Sequence, residues 1–136
     1  MQDAMTIGAL SRQVGLKPET LRYYERLGLI EPRARTDSNY RLYGELALRR
    51  LRFIRRAQAF GFSLGEIGEL LSLSERSEAD MQAVRELTVQ KIQDIERKIV
   101  DLERMKSGLA SLAAKCPGHG STAECPILNT LLGDER

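Results

Sequence analysis

From Ala79 to Ala114 the chain contains no proline and one glycine, Gly108. Apolar residues Ile92, Ile95, Ile99, Leu102, Leu109 and Leu112 recur at a spacing near 3.5 residues, with Met105 where the repeat slips. A helix over this stretch is about 50 Å long at 1.5 Å per residue. The short elements before it cannot cover such a stripe, so the pattern predicts pairing with a second copy as an antiparallel two-chain coiled coil. The alternative, a hairpin with the C-terminal tail, has only a short tail to draw on.

The rest of the chain is compatible with one soluble domain plus that extension: 136 residues, 42% hydrophobic and 29% charged. A chain of this length buries roughly two thirds of its unfolded surface, enough for a core without disulfides. With 2 Cys it is not a disulfide scaffold. It has no apolar run of about 18 residues, and Met1 to Leu10 lacks a basic region followed by a long apolar stretch. The expectation is a cytoplasmic protein with no membrane partner and with reduced thiols. The net charge of +2 conceals an asymmetry, with +4 over residues 1–76 and −2 over 77–136. Between Arg12 and Arg56 the excess reaches +7 and is nearly all arginine, which calls for an anionic partner or extensive solvation.

Thr6 precedes a short amphipathic helix with Ile7, Leu10 and Val14 on one face, ended at Gly15. Pro18 then opens a second helix with Leu21, Tyr24 and Leu27 on one face and a stop at Gly28. Two helices joined by a tight turn within about 22 residues form a helix-turn-helix. From Ile30 to Tyr43, a turn at Thr36–Asn39 followed by the alternating Tyr40-Arg-Leu-Tyr43 predicts a hairpin, hence a wing. Glu45 to Phe60 returns to helical period, and Ser63-Leu-Gly-Glu66 has the form of a capping box opening another helix. If Leu21 and Tyr24 face inward, Thr20, Arg22 and Tyr23 lie on other faces, where arginine can read guanine or hold phosphate. Lys17, Thr20, Arg22 and Tyr23, with Arg35, Tyr40 and Arg41 of the wing, are the candidate DNA contacts.

Met5-Thr-Ile-Gly-Ala-Leu-Ser-Arg12, Glu19-Thr-Leu-Arg-Tyr-Tyr-Glu-Arg-Leu-Gly-Leu-Ile30, Asn39-Tyr-Arg-Leu-Tyr43 and Gly61-Phe-Ser-Leu-Gly-Glu-Ile67 together resemble the MerR family of bacterial transcription regulators. The resemblance spans essentially the whole chain. It implies a mainly α fold: a winged helix-turn-helix DNA-binding head with linking helices over 1–76, a dimerisation helix over 77–115, and a metal-binding loop with a short helix over 116–136. It also implies a homodimer on a palindromic promoter operator, which distorts the DNA when an effector binds and so realigns the promoter for RNA polymerase.

Cys116 and Cys125 are separated by eight residues, a loop long enough to bring both sulfurs to one ion and short enough to limit the entropy of closure. Two thiolates suit Cu(I), Ag(I), Au(I) or Hg(II). Cys125 precedes Pro126 and is the expected N-cap of a final helix, where the dipole favours thiolate and offsets anionic charge. A linear bis-thiolate complex carries −1 with a monovalent ion and none with a divalent one, so this placement favours the former. The run Cys116-Pro-Gly, six residues, Cys125-Pro-Ile resembles the metal loop of the family's sensors, which maps both cysteines onto its ligands. Divalent sensors of that family commonly add a partner cysteine near the start of the dimer helix. Here Met81 stands at the equivalent place, which favours a two-coordinate Cu(I) over three-thiolate Hg(II), Pb(II) or Cd(II).

His119 keeps Zn(II) open, with Cys116, Cys125 and either Asp80 or water as co-ligands. Met81 is a candidate thioether ligand or a packing residue. A thiol redox switch with the same DNA function remains a rival, as does a metal scavenger or chaperone without a DNA role. An enzyme is disfavoured, since the chain has no glycine-rich phosphate loop, no evident nucleophile and base pair, and one histidine.

Overall fold

The computed structural model describes residues 4–76 and 78–134. Ser77, at the junction between head and long helix, lies outside the described residues, as do residues 1–3 of the head and 135–136 of the tail. The chain forms two compact units, one reaching to Thr88 and the other beginning at Val89.

In the first unit, β1 (Met5–Thr6) leads into α1 (Ile7–Val14), and Thr6 caps α1 by accepting a hydrogen bond from the Ala9 amide at 3.2 Å. Gly15 ends α1 at φ 71°, a left-handed conformation that glycine adopts without a Cβ penalty. Helix α2 (Pro18–Arg26) starts with proline in its first turn, where a missing amide hydrogen costs nothing, and stops two residues before Gly28. Strands β2 (Ala34–Arg35) and β3 (Arg41–Tyr43) form the wing as predicted. Strand β3 also pairs with β1, Met5 opposite Tyr43 and Thr6 opposite Leu42, giving an antiparallel sheet in the order β1-β3-β2. The alternation at Tyr40–Tyr43 predicts the hairpin, whereas the two-residue β1 is a third strand with no such pattern in the sequence.

Helix α3 (Glu45–Ala59) and helix α4 (Leu64–Ser74) complete the head, and α4 opens on a full Ser63–Glu66 capping box. Arg50 fastens the two helices with a bidentate pair to Glu75 at 2.8 and 2.7 Å, which holds the Glu75 carboxyl below its usual range. The core gathers Leu10, Leu21, Ile30, Tyr43, Leu48, Leu51, Ile54 and Ile67, all essentially inaccessible to solvent. Leu51→Ala opens a cavity here and is expected to lower head stability by about 2–5 kcal/mol, measured as a reduced urea midpoint at unchanged slope.

The long helix α5 spans Met81–Lys115. In the second unit its stripe of Ile92, Ile95, Ile99, Leu102, Met105 and Leu109 stays exposed, and the tail does not run back along it. The chain continues through a loop and a short 3-10 turn, Thr122–Glu124, into α6 (Pro126–Leu132). Among the described residues no helix is long and apolar enough to cross a membrane.

Candidate functional site

Burial of Leu21 and Tyr24 fixes the rotation of α2. Lys17 at its N-cap, Arg22 and Tyr23 are then exposed, and Thr20 is half-buried. The Arg26 guanidinium lies 5.7 Å from the centroid of the Tyr23 ring, a cation–π contact that steadies this outer face. The wing tip is shaped by its own polar groups. Asn39 takes φ 68°, the Tyr40 amide donates to Thr36 Oγ1 at 3.0 Å, and the Thr36 amide donates to the Tyr40 carbonyl at 2.8 Å. Tyr40 is 70% exposed as a result.

Arg22, Arg35, Tyr40 and Arg41 line one cleft of about 270 Å³, together with Thr6, Ile7, Asn39 and Tyr43. Four of the seven predicted DNA contacts thus converge from α2 and the wing, while Lys17, Thr20 and Tyr23 lie on α2 outside this cleft. Three guanidinium groups around one concavity make it suited to phosphate oxygens.

Two residues at this surface escaped the sequence reading. The Tyr43 hydroxyl donates to Glu25 Oε1 at 2.6 Å, and Arg41 Nε pairs with Glu25 Oε2 at 3.2 Å. Burial, then the hydrogen bond to Glu25 and its negative charge, push the Tyr43 phenol up to about 12. Tyr43 is therefore a protonated donor throughout the physiological range. Its contribution to stability is fully present below the ordinary tyrosine value and is lost as pH rises through about 12. The only signal in sequence was an acid embedded in an arginine-rich segment.

The second unit carries the thiols. Cys116 follows the last residue of α5 and its amide donates to the Ala113 carbonyl at 3.2 Å. Gly118 and Gly120, at φ 84° and 109°, turn the loop back, and Ser121 caps the 3-10 turn by accepting from the Ala123 amide. Cys125 is the N-cap of α6, as expected, with its carbonyl accepting from the Asn129 amide at 3.0 Å. Both thiols are half-buried and no disulfide joins them. The Cys125 side chain makes no capping hydrogen bond within ordinary limits, yet the amides of Leu128 and Ile127 and the neighbouring Cys116 thiol hold its pKa below the usual value.

The loop therefore carries the two thiols as neighbours at its two edges, and the amides at the start of α6 lower the pKa of one of them. The depressed pKa predicts that Cys125 alkylation by iodoacetamide, followed by peptide mass spectrometry, reaches half its limiting rate below the ordinary cysteine value of about 8.5. For the same reason, the thiolate's stabilisation is complete above that ordinary value and is lost as pH falls through the depressed one.

His119 is exposed and its Nδ1 lies 3.1 Å from the Pro117 carbonyl oxygen. Among the described residues no cluster of three or more His, Cys, Asp or Glu side chains is placed to hold a metal ion, so Cys116, His119 and Cys125 do not form one. Met81, the first residue of α5, is 84% exposed, and Asp80 accepts from the Gln82 amide at 3.0 Å. Two neighbouring thiols, one of them with a lowered pKa, fit a soft metal ion.

The model for MerR HTH family regulatory proteins matches residues 5–74, and that for the MerR DNA-binding region matches 48–112. A mercuric resistance operon regulatory protein of Bacillus cereus is 45% identical over 126 residues, covering 93% of this chain and 96% of its own length. The HTH-type transcriptional regulator CueR of Salmonella typhimurium is 37% identical, covering 95% and 93%. The crystal structure of a transcription regulator from Ralstonia metallidurans in complex with lead(II) superposes with a TM-score of 0.81 at 37% identity, covering 93% of this chain and 98% of that one. Winged head, long helix and thiol-bearing loop all fall within these matches, and the chain belongs to the MerR family of transcription regulators and is not an enzyme.

Proposed function

We propose that this protein is a cytoplasmic, metal-responsive activator that binds a palindromic promoter operator as a homodimer and responds to a soft monovalent ion, Cu(I) foremost. The observation that carries the reading is the placement of Cys116 just after α5 and of Cys125 at the N-cap of α6, at the two edges of one loop turned by Gly118 and Gly120. Two thiolates hold Cu(I), Ag(I) or Au(I), and the helix end offsets the negative charge of the pair.

Lys17, Thr20, Arg22 and Tyr23 on α2, with Arg35, Tyr40 and Arg41 of the wing, contact the operator. The exposed α5 stripe pairs with that of a second chain, which sets the separation of the two heads. Occupancy of the loop biases the dimer toward a form that holds the DNA distorted, and RNA polymerase then engages the realigned promoter.

Two observations support other inputs to the same output. The 45% identical relative is named for mercuric resistance and the lead(II)-bound regulator is 37% identical, which favours a divalent ion, Hg(II) or Pb(II), with Zn(II) requiring His119 as a ligand. The proximity of the sulfurs favours a thiol switch closed by oxidation. Run-off transcription with reduced protein and RNA polymerase, across buffered series of Cu(I), Ag(I), Zn(II), Hg(II) and Pb(II), tests the reading. Activation by Cu(I) and Ag(I) is expected. Activation only by Hg(II) or Pb(II) makes the divalent reading correct, and activation only by a thiol oxidant makes the switch correct.

A further inference from the structure

Glu25 is an acid on the surface that faces DNA in the proposed function, where electrostatics alone would exclude it. Its side chain is largely covered, with 17% exposure, and it joins two elements that make no close backbone approach to each other. Helix α2 supplies Glu25, and the three-residue strand β3 supplies both of its partners, Tyr43 and Arg41. The flanking strands β1 and β2 have two residues each, and β3 packs against α1 and α3 but not α2, so the link from the wing to α2 runs through side chains.

We infer that Glu25 is a positioning residue that locks the wing to the recognition helix, so that operator affinity depends on a carboxylate carrying the wrong sign for DNA. This rests on the operator contacts proposed above. Tyr43 is the inner anchor, fully buried and donating at 2.6 Å. Arg41 is the outer one: its Nε pairs with Glu25 while the side chain as a whole stays 43% exposed.

The sign of the effect separates positioning from charge. Removing a negative charge strengthens DNA binding if Glu25 acts only through its field, and weakens it if Glu25 holds the wing in register. The test uses full-length dimer and a duplex selected by the wild-type protein from a random pool, with anisotropy titrations over a salt series and hydroxyl-radical footprints. Glu25→Ala is expected to weaken binding at least tenfold and to lose protection at the wing's phosphates while keeping that of α2.

Glu25→Gln, which still accepts from Tyr43 but loses the charge on Arg41, falls between Glu25→Ala and wild type. Tyr43→Phe added to Glu25→Ala brings little further loss, because both break one link. Wild-type or tighter binding by Glu25→Ala, or a loss spread evenly over the footprint in step with a lowered Tm, overturns the inference. If Glu25→Ala does not fold, Glu25→Gln and Tyr43→Phe carry the same comparison. Arg22→Ala and Tyr40→Ala are run alongside: unchanged affinity in both overturns the operator contacts themselves, whereas weakened binding in both with a wild-type Glu25→Ala footprint overturns only the role of Glu25.

Discussion

Cys116→Ser is expected to abolish metal-dependent activation while leaving the operator affinity of the metal-free dimer within about twofold, since surface substitutions away from packing or capping features change stability by only about 0.5 kcal/mol. Serine preserves the shape of the side chain, and Cys116 contributes no core contact, so the fold is unaffected. What changes is the donor set. A hydroxyl stays protonated at neutral pH and is a hard oxygen donor, so a site of two soft thiolates becomes a site of one. Outer-shell partners of a bound metal alone are worth about 10–100-fold in affinity, and loss of one of two direct ligands exceeds that. Cys125→Ser has the same outcome for metal and removes the thiol whose pKa the α6 amides lower. Run-off transcription with buffered Cu(I), beside gel-shift titration of the metal-free proteins, checks both halves of the expectation.

Arg22→Ala is expected to weaken operator binding ten- to a hundredfold and to relax sequence preference at one position of each half-site. Arg22 is exposed on α2 opposite the buried Leu21 and Tyr24, and it faces the cleft shared with Arg35, Tyr40 and Arg41. A bidentate arginine–guanine contact carries about 1–3 kcal/mol of discrimination. If Arg22 instead holds a phosphate, affinity falls evenly across sequences and the salt slope diminishes by about 0.9. Binding to a library of single-base operator variants, repeated over a salt series, distinguishes these outcomes, and unchanged affinity removes Arg22 from the interface.

Local signals carried most of the architecture. Thr6, Pro18 and the Ser63–Glu66 pair mark helix starts because each satisfies, or lacks, a specific backbone amide, and all three stand where the sequence placed them. Cys125 was legible as the N-cap of α6 from the proline after it. Pairing between residues distant in sequence was not legible. Strand β1 is two residues long, with no alternation to detect, and exists because Met5 and Thr6 find Tyr43 and Leu42. Arg50 with Glu75, Arg55 donating to the Val14 carbonyl, and Glu25 with Tyr43 and Arg41 join elements whose proximity follows only from the completed fold. In sequence the arginines among them counted toward a basic surface. In the fold some of them fasten the head together and are not simply free to meet DNA.

In the proposed function one loop of one chain holds a soft monovalent ion between two thiolates. Its most direct test is an anaerobic competition titration of the reduced protein with Cu(I), Ag(I) and Zn(II), each against a chelator of known affinity and repeated on Cys116→Ser. One Cu(I) or Ag(I) per chain, bound tightly by the wild type and released to the chelator by the variant, is the predicted result. Zn(II) bound in preference to Cu(I), or Cu(I) bound equally well without Cys116, would contradict it.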